Sequence, residues 1–192
     1  MDFKKIGLVG PLACGKGVIA EYLIEKYQYT SFSLSVLVHE EAKKRGHTVL
    51  TRTLLQDIGD DMRAKEGDGV LAKRAIKTLN PKLYTQNPKI IIEGIRNPGE
   101  IAYLRTIPGF FLIAVDATKE IRFKRVLKRG KVWDPKDWNT FLKVDGRDSK
   151  DMQNKNGQQV RVCMEMADMQ IKNNTDKEYI YKEIDLAMKP KQ

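Results

Sequence analysis

Cysteine and histidine are scarce in this chain of 192 residues, with two copies of each. Cys14 and Cys163 supply no disulfide framework and no paired metal-ligand spacing, which points to a reducing, cytoplasmic setting. Long apolar runs are missing too. Stretches such as FFLIAV (Phe110 to Val115) fall far short of the roughly 20 residues that cross a bilayer, so no membrane partner is expected. The opening MDFKKIGLVG lacks the long apolar segment and small-residue cleavage site of a secretory leader. Neither an internal repeat nor a low-complexity linker breaks the chain.

What is present is ordinary for a globular protein of about one domain: 41% hydrophobic and 31% charged residues. The charge is lopsided, 35 Lys and Arg against 25 Asp and Glu, a formal +10. That excess favours polyanionic partners, either small phosphates or nucleic acid, or is a solvated basic surface. Along the chain, apolar runs alternate with helical patterns. Strands are expected at 5–10, 31–34, 89–93, 110–116 and 169–173, and helices at 16–26, 37–45, 52–65, 70–79, 119–129, 135–144, 159–166 and 176–188. KIIIE and FFLIAVD are continuous apolar runs of the kind buried on both faces of a parallel sheet. The pattern predicts an α/β fold with a parallel sheet and ligands at the carboxyl ends of the strands.

One motif carries chemistry directly. GPLACGKG, Gly10 to Gly17, follows a strand and opens a helix. Gly10 and Gly15 let the backbone turn tightly enough for several amides to point inward. The helix adds its N-terminal dipole, and Lys16 supplies an ammonium for the β- and γ-phosphates. This is a P-loop, and Gly10, Pro11, Leu12, Ala13, Cys14, Gly15, Lys16, Gly17 and Val18 are the expected ATP contacts. Cys14 is read as a tolerated small residue rather than a nucleophile.

The Gly-Lys-Gly sequence resembles adenylate kinases and their relatives, which usually continue with Thr. Val18 removes that hydroxyl, so weaker handling of Mg²⁺ is expected, the ion being held by phosphates, water and a carboxylate. IIIEGIRNPGE (Ile90 to Glu100) resembles the Asp-Gly-Phe-Pro-Arg segment of nucleoside monophosphate kinases. The resemblance implies that Arg96 grips the acceptor phosphate and that Glu93 sits near the metal, through water. RTLLQDIGDDMR places Arg52, Gln56 and Arg63 at helical spacing, similar to a series in some viral deoxynucleotide kinases; a solvated face is the alternative. Where the family reads Asp-x-Leu-Arg, this chain has Val36 and His39. His39 is carried as an acceptor-side candidate against the alternative of a surface histidine.

IRFKRVLKRGK carries Arg122, Arg125 and Arg129 on one helix, which would repel one another unless phosphates or acids compensate. The resemblance implies a lid that begins with Arg125 and Arg129 and returns through Arg147 in DGRDS, stabilising the transferring phosphoryl together with Lys16. Trp133 and Trp138 are packing residues or borders for a base. The closing MADMQIKNNTD resembles the end of dephospho-coenzyme A kinases, which implies that Asn173 and Asn174 lie near the adenine.

The expectation is therefore a P-loop NTPase of nucleoside monophosphate kinase type, with a five-stranded parallel sheet flanked by helices. It reads as one domain over 1–192, with acceptor-binding helices over about 36–80 and a lid insert over about 130–158. The expected function is ATP- and Mg²⁺-dependent transfer to a nucleoside or deoxynucleoside monophosphate, a small-molecule acceptor being favoured over nucleic acid. The alternatives are a dephospho-coenzyme A kinase and a nucleotide-binding regulator or RNA-linked ATPase.

Overall fold

A computed structural model describes residues 3–86, 89–149 and 157–189. Five parallel strands, β1 (Lys5–Val9), β2 (Thr30–Ser33), β3 (Ile90–Ile95), β4 (Phe110–Asp116) and β5 (Met169–Lys172), form one sheet in the order β2-β3-β1-β4-β5. The three central strands, β1, β3 and β4, have both faces covered and read as apolar runs, whereas the edge strands β2 (TSFS) and β5 (MQIK) keep polar, exposed positions. Ile90, Ile92, Leu112 and Ala114 face one core with α2 (Ser35–Lys44), α3 (Arg52–Glu66), α4 (Val70–Gln86), α5 (Pro98–Leu104) and α8 (Val160–Glu165). Ile6, Leu8, Ile91, Ile113 and Val115 face the other, with α1 (Lys16–Tyr27) and α9 (Lys177–Met188). A third cluster of Leu12, Val126, Phe141 and Val144 joins the phosphate loop to α6 (Lys119–Arg129) and α7 (Trp138–Ser149).

The five-stranded parallel sheet and flanking helices agree with the sequence expectation. Several boundaries differ. Soon after Arg96 comes α5, a helix outside those expected from the sequence. Asn97 accepts the Gly99 amide, Pro98 starts the helix, and Glu100 reaches back to the Asn97 amide, which completes a capping box. Helix α7 runs to Ser149, past the expected end at 144, because Asp145 and Asp148 are buried and paired rather than solvated. The expected lid insert falls partly outside the described residues, at 150–156.

The sheet sets the site. Register slips between Leu8 and Val9 opposite β3, where Gly94 adopts a φ of +79°. This bulge lies between Glu93 and Arg96, at the carboxyl end of the strand beside β1. Among the described residues, no helix is long and apolar enough to cross a membrane.

Candidate functional site

The turn after β1 needs its glycines. Gly10 and Gly15 have φ of +153° and +107°, and an added Cβ would collide with the Val115 carbonyl oxygen and the Asn173 amide, respectively. Ala13 shares the left-handed region at +59°. Gly15 begins α1 without a side-chain cap, so the first amides of the helix have no side-chain acceptor at the place where an anion would sit. Lys16 Nζ folds over the loop and donates to the Gly10 oxygen at 2.7 Å and the Pro11 oxygen at 3.0 Å. Burial pushes its ammonium below the ordinary lysine value; Cys14 opposes the shift and Arg96 adds to it. Pro11, Leu12 and Cys14 are buried, Gly17 is exposed, and Val18 is half-buried.

Asn173 and Arg125 brace this loop from behind. Asn173 Nδ2 donates to the Cys14 oxygen at 2.8 Å. Arg125 donates to the same oxygen at 3.2 Å and to Asn173 O and Oδ1 at 3.0 Å each. Asn174 Oδ1 accepts the Thr118 amide at the start of α6. Arg125→Ala is accordingly expected to loosen the loop and weaken ATP binding about tenfold, read by calorimetric titration.

One cavity of about 210 Å³ runs from Leu12, Ala13 and Lys16 to Arg52, Gln56, Arg63 and Arg96. Thr51 caps α3 by accepting the Leu54 amide, and the four- and seven-residue spacing then turns Arg52, Gln56 and Arg63 to the same cavity. Buried carboxylates meet them. Arg63, 1% exposed, gives Nε and Nη2 to Glu100 at 3.1 and 2.8 Å and Nη1 to Asp60 at 3.3 Å. Arg96 Nη1 reaches Asp148 at 3.1 Å and Gln158 at 2.9 Å. Arg52 and Gln56 reach Asp148 as well, at 3.2 and 2.6 Å. Burial pushes the Asp148 carboxyl up, but Arg96 and Arg52 outweigh it and hold the group below the usual carboxylate range. Burial lowers the Arg96 guanidinium from its ordinary value, against the pull of Asp148.

Glu93 is half-buried and accepts the Ser31 hydroxyl at 2.6 Å. It is the one carboxylate among the described cavity-lining residues, where Ser33 and Ser35 also stand. No group of three or more acidic, His or Cys side chains is arranged to hold a metal among the described residues. This donor set fits a hard cation held mainly by phosphate oxygens and water, with Glu93 behind the water. His39 lines the cavity with its ring 5.4 Å from that of Trp133. Burial lowers its pKa, and Lys131, Arg52 and Lys43 push the same way, which disfavours the cation that an arginine would supply here.

Acids answer the expected repulsion on α6. Arg122 is buried in a two-pronged pair with Asp145 at 2.5 and 2.9 Å, its guanidinium over the Phe141 ring. Arg129 pairs with Asp134 at 2.6 and 2.7 Å and still lines the cavity. Arg147 instead reaches Asp57 and Asp60 on α3, at 2.6 and 3.1 Å. Sequence reasoning missed Asp148, Glu100 and Gln158 as partners of the arginines. The Asn-Pro-Gly-Glu capping pattern signals Glu100; Asp148 lies 96 residues from Arg52 and 52 from Arg96, with no local signal.

A profile of the AAA domain family matches residues 6–153. A UPF0200 protein of Methanococcus maripaludis strain C7 is 32% identical over 145 residues, covering 76% of this chain and 78% of the relative. Among solved structures, a shikimate kinase of Aquifex aeolicus superposes with a TM-score of 0.52 at 16% identity, over 96% of this chain and 95% of that one. A gluconokinase of Sinorhizobium meliloti does so with a TM-score of 0.54 at 12% identity, over 95% and 90%. Those two likenesses are of fold. With its P-loop, its parallel sheet and this extent of shared sequence, the chain is a member of the AAA domain family and belongs with the UPF0200 proteins.

Proposed function

We propose that this protein is an ATP-dependent phosphotransferase and that its acceptor is a nucleoside or deoxynucleoside monophosphate. The observation that carries the reading is the single cavity with Lys16 and the phosphate loop at one end and Arg52, Gln56 and Arg96 at the other. ATP would lie on Gly10 to Val18 with its terminal phosphates on Lys16 and the amides of α1. A Mg²⁺ ion bound with it would screen the phosphate charge. Arg96 and Arg52 would orient the acceptor phosphate, with planar forks suited to its oxygens. Arg129 would face the transferring group from the insert, Arg125 would hold the loop, and Arg147 would tie the insert to α3. A phosphate acceptor needs no dedicated base, so positioning and electrostatics suffice. Kinases among its structural neighbours support the reading at the level of fold.

The test is transfer from ATP with Mg²⁺ to a panel of ribo- and deoxynucleoside monophosphates plus dephospho-coenzyme A, with products separated. Transfer to one monophosphate supports the proposal. Silence across the panel with ATP still bound would replace it with a nucleotide-binding regulator or an RNA-linked ATPase.

A second reading, a hydroxyl acceptor such as dephospho-coenzyme A, gains support from Glu93, a carboxylate in the same cavity as Lys16 that could take a hydroxyl proton. Glu93→Gln separates the two. With a phosphate acceptor kcat should fall only about threefold to tenfold, through the metal's water shell; with a hydroxyl acceptor it should fall by about 10² or more.

A further inference from the structure

Asp148, near the C-terminal end of α7, is fully buried. It stands behind the cavity wall: Arg52, Gln56, Arg96 and Gln158 line the cavity, and Asp148 does not. Its Oδ2 accepts both Arg52 Nη2, at 3.2 Å, and Arg96 Nη1, at 3.1 Å, while Oδ1 accepts Gln56 Nε2 at 2.6 Å. Two guanidiniums brought to one oxygen in a buried place repel each other, and the shared carboxylate is what makes their proximity tolerable. Arg52 commits one terminal nitrogen to it. Its Nε is the one buried side-chain polar atom among the described residues that lacks a hydrogen-bond partner.

We infer that Asp148 is the resident counter-ion of an anion clamp made by Arg52 and Arg96, and that it determines which anions the clamp accepts. The inference rests on the reading above for the identity of the acceptor. With Asp148 ionised, two guanidiniums and one carboxylate leave the clamp a single net positive charge. A bare phosphate dianion feels only that one net charge, because the carboxylate behind the clamp offsets half the attraction of the guanidiniums. A larger acceptor adds contacts elsewhere in the cavity, where Trp133 and His39 stand. The carboxylate thus holds down the affinity for free phosphate, stabilises the empty clamp and shifts selection to the rest of the acceptor.

The experiment uses the full chain with the phosphate loop saturated by a non-hydrolysable ATP analogue, so that added inorganic phosphate reports the second anion site. Asp148→Asn keeps the shape and removes the charge. The variant is expected to bind phosphate about tenfold more tightly than the wild type by calorimetry. It should melt lower without phosphate and gain more in Tm from phosphate than the wild type gains. Equal or weaker phosphate affinity overturns the inference, as does a Tm loss that phosphate does not reduce, which is the mark of a merely structural residue. If the single variant does not fold, Arg52→Met with Asp148→Asn removes the surplus cation; recovery of folding supports the counter-ion and failure overturns it. A wild type that transfers to no monophosphate would remove the acceptor reading and leave the phosphate result standing.

Discussion

Lys16→Ala is expected to lower phosphoryl transfer by about 10³-fold while the protein stays folded, because one preorganised donor aimed at developing phosphate charge carries a term of that size. The ammonium has two loop carbonyls as its short-range partners, at 2.7 and 3.0 Å. Its loss therefore strands no buried carboxylate, and the burial that depresses its pKa is relieved rather than created. The cost to folding should stay near 1 kcal/mol. Transfer rates and thermal melts on the same preparation check both halves. Activity within about tenfold of wild type would take the loop out of the chemistry.

Arg63→Met is expected to show the opposite balance, with stability lost before anything else. Arg63 is 1% exposed, and its partner Glu100 is fully buried. Without the guanidinium, Glu100 keeps the Arg96 and Asn97 amides, at 2.7 and 3.2 Å, and loses both charge-assisted bonds to Arg63. Breaking one side of such a pair costs about 3–5 kcal/mol, since the remaining charge stays buried. For a chain of this size that corresponds to a fall in Tm of about 10 °C. Arg63→Met with Glu100→Gln should recover part of it by removing the stranded charge. An unchanged melt for the single variant would show that the pair contributes nothing to folding and would return Arg63 to the acceptor.

The contrast between these two residues marks how far local pattern reaches. Lys16 does its work within the ten residues that surround it: a strand, two glycines and a helix start place it, and each of those is written locally. The apolar runs Ile90–Ile92 and Leu112–Val115 announce strands buried on both faces for the same reason, since period-two geometry and burial act on neighbours. The helical spacing of Arg52, Gln56 and Arg63 also turns them to one cavity.

Their partners were not legible. Spacing says which side chains share a helix face, but not which carboxylate arrives from another helix to meet them. Asp148 reads in sequence as part of a polar insert, yet folding carries it into full burial against two arginines and a glutamine. Arg147, its neighbour, turns to Asp57 and Asp60 on α3. The α6 arginines likewise found Asp145, Asp134 and the loop carbonyls. A long charged side chain can satisfy itself with a phosphate or with an acid, and only the packing of α7 on α6 and α3 selects which. The sequence by itself thus determined the phosphate loop, the parallel sheet and the face that α3 presents, because these depend on neighbours along the chain. The tertiary structure alone decided how the arginine-lined end of the cavity is charged, because that depends on groups tens of residues apart meeting where water is excluded.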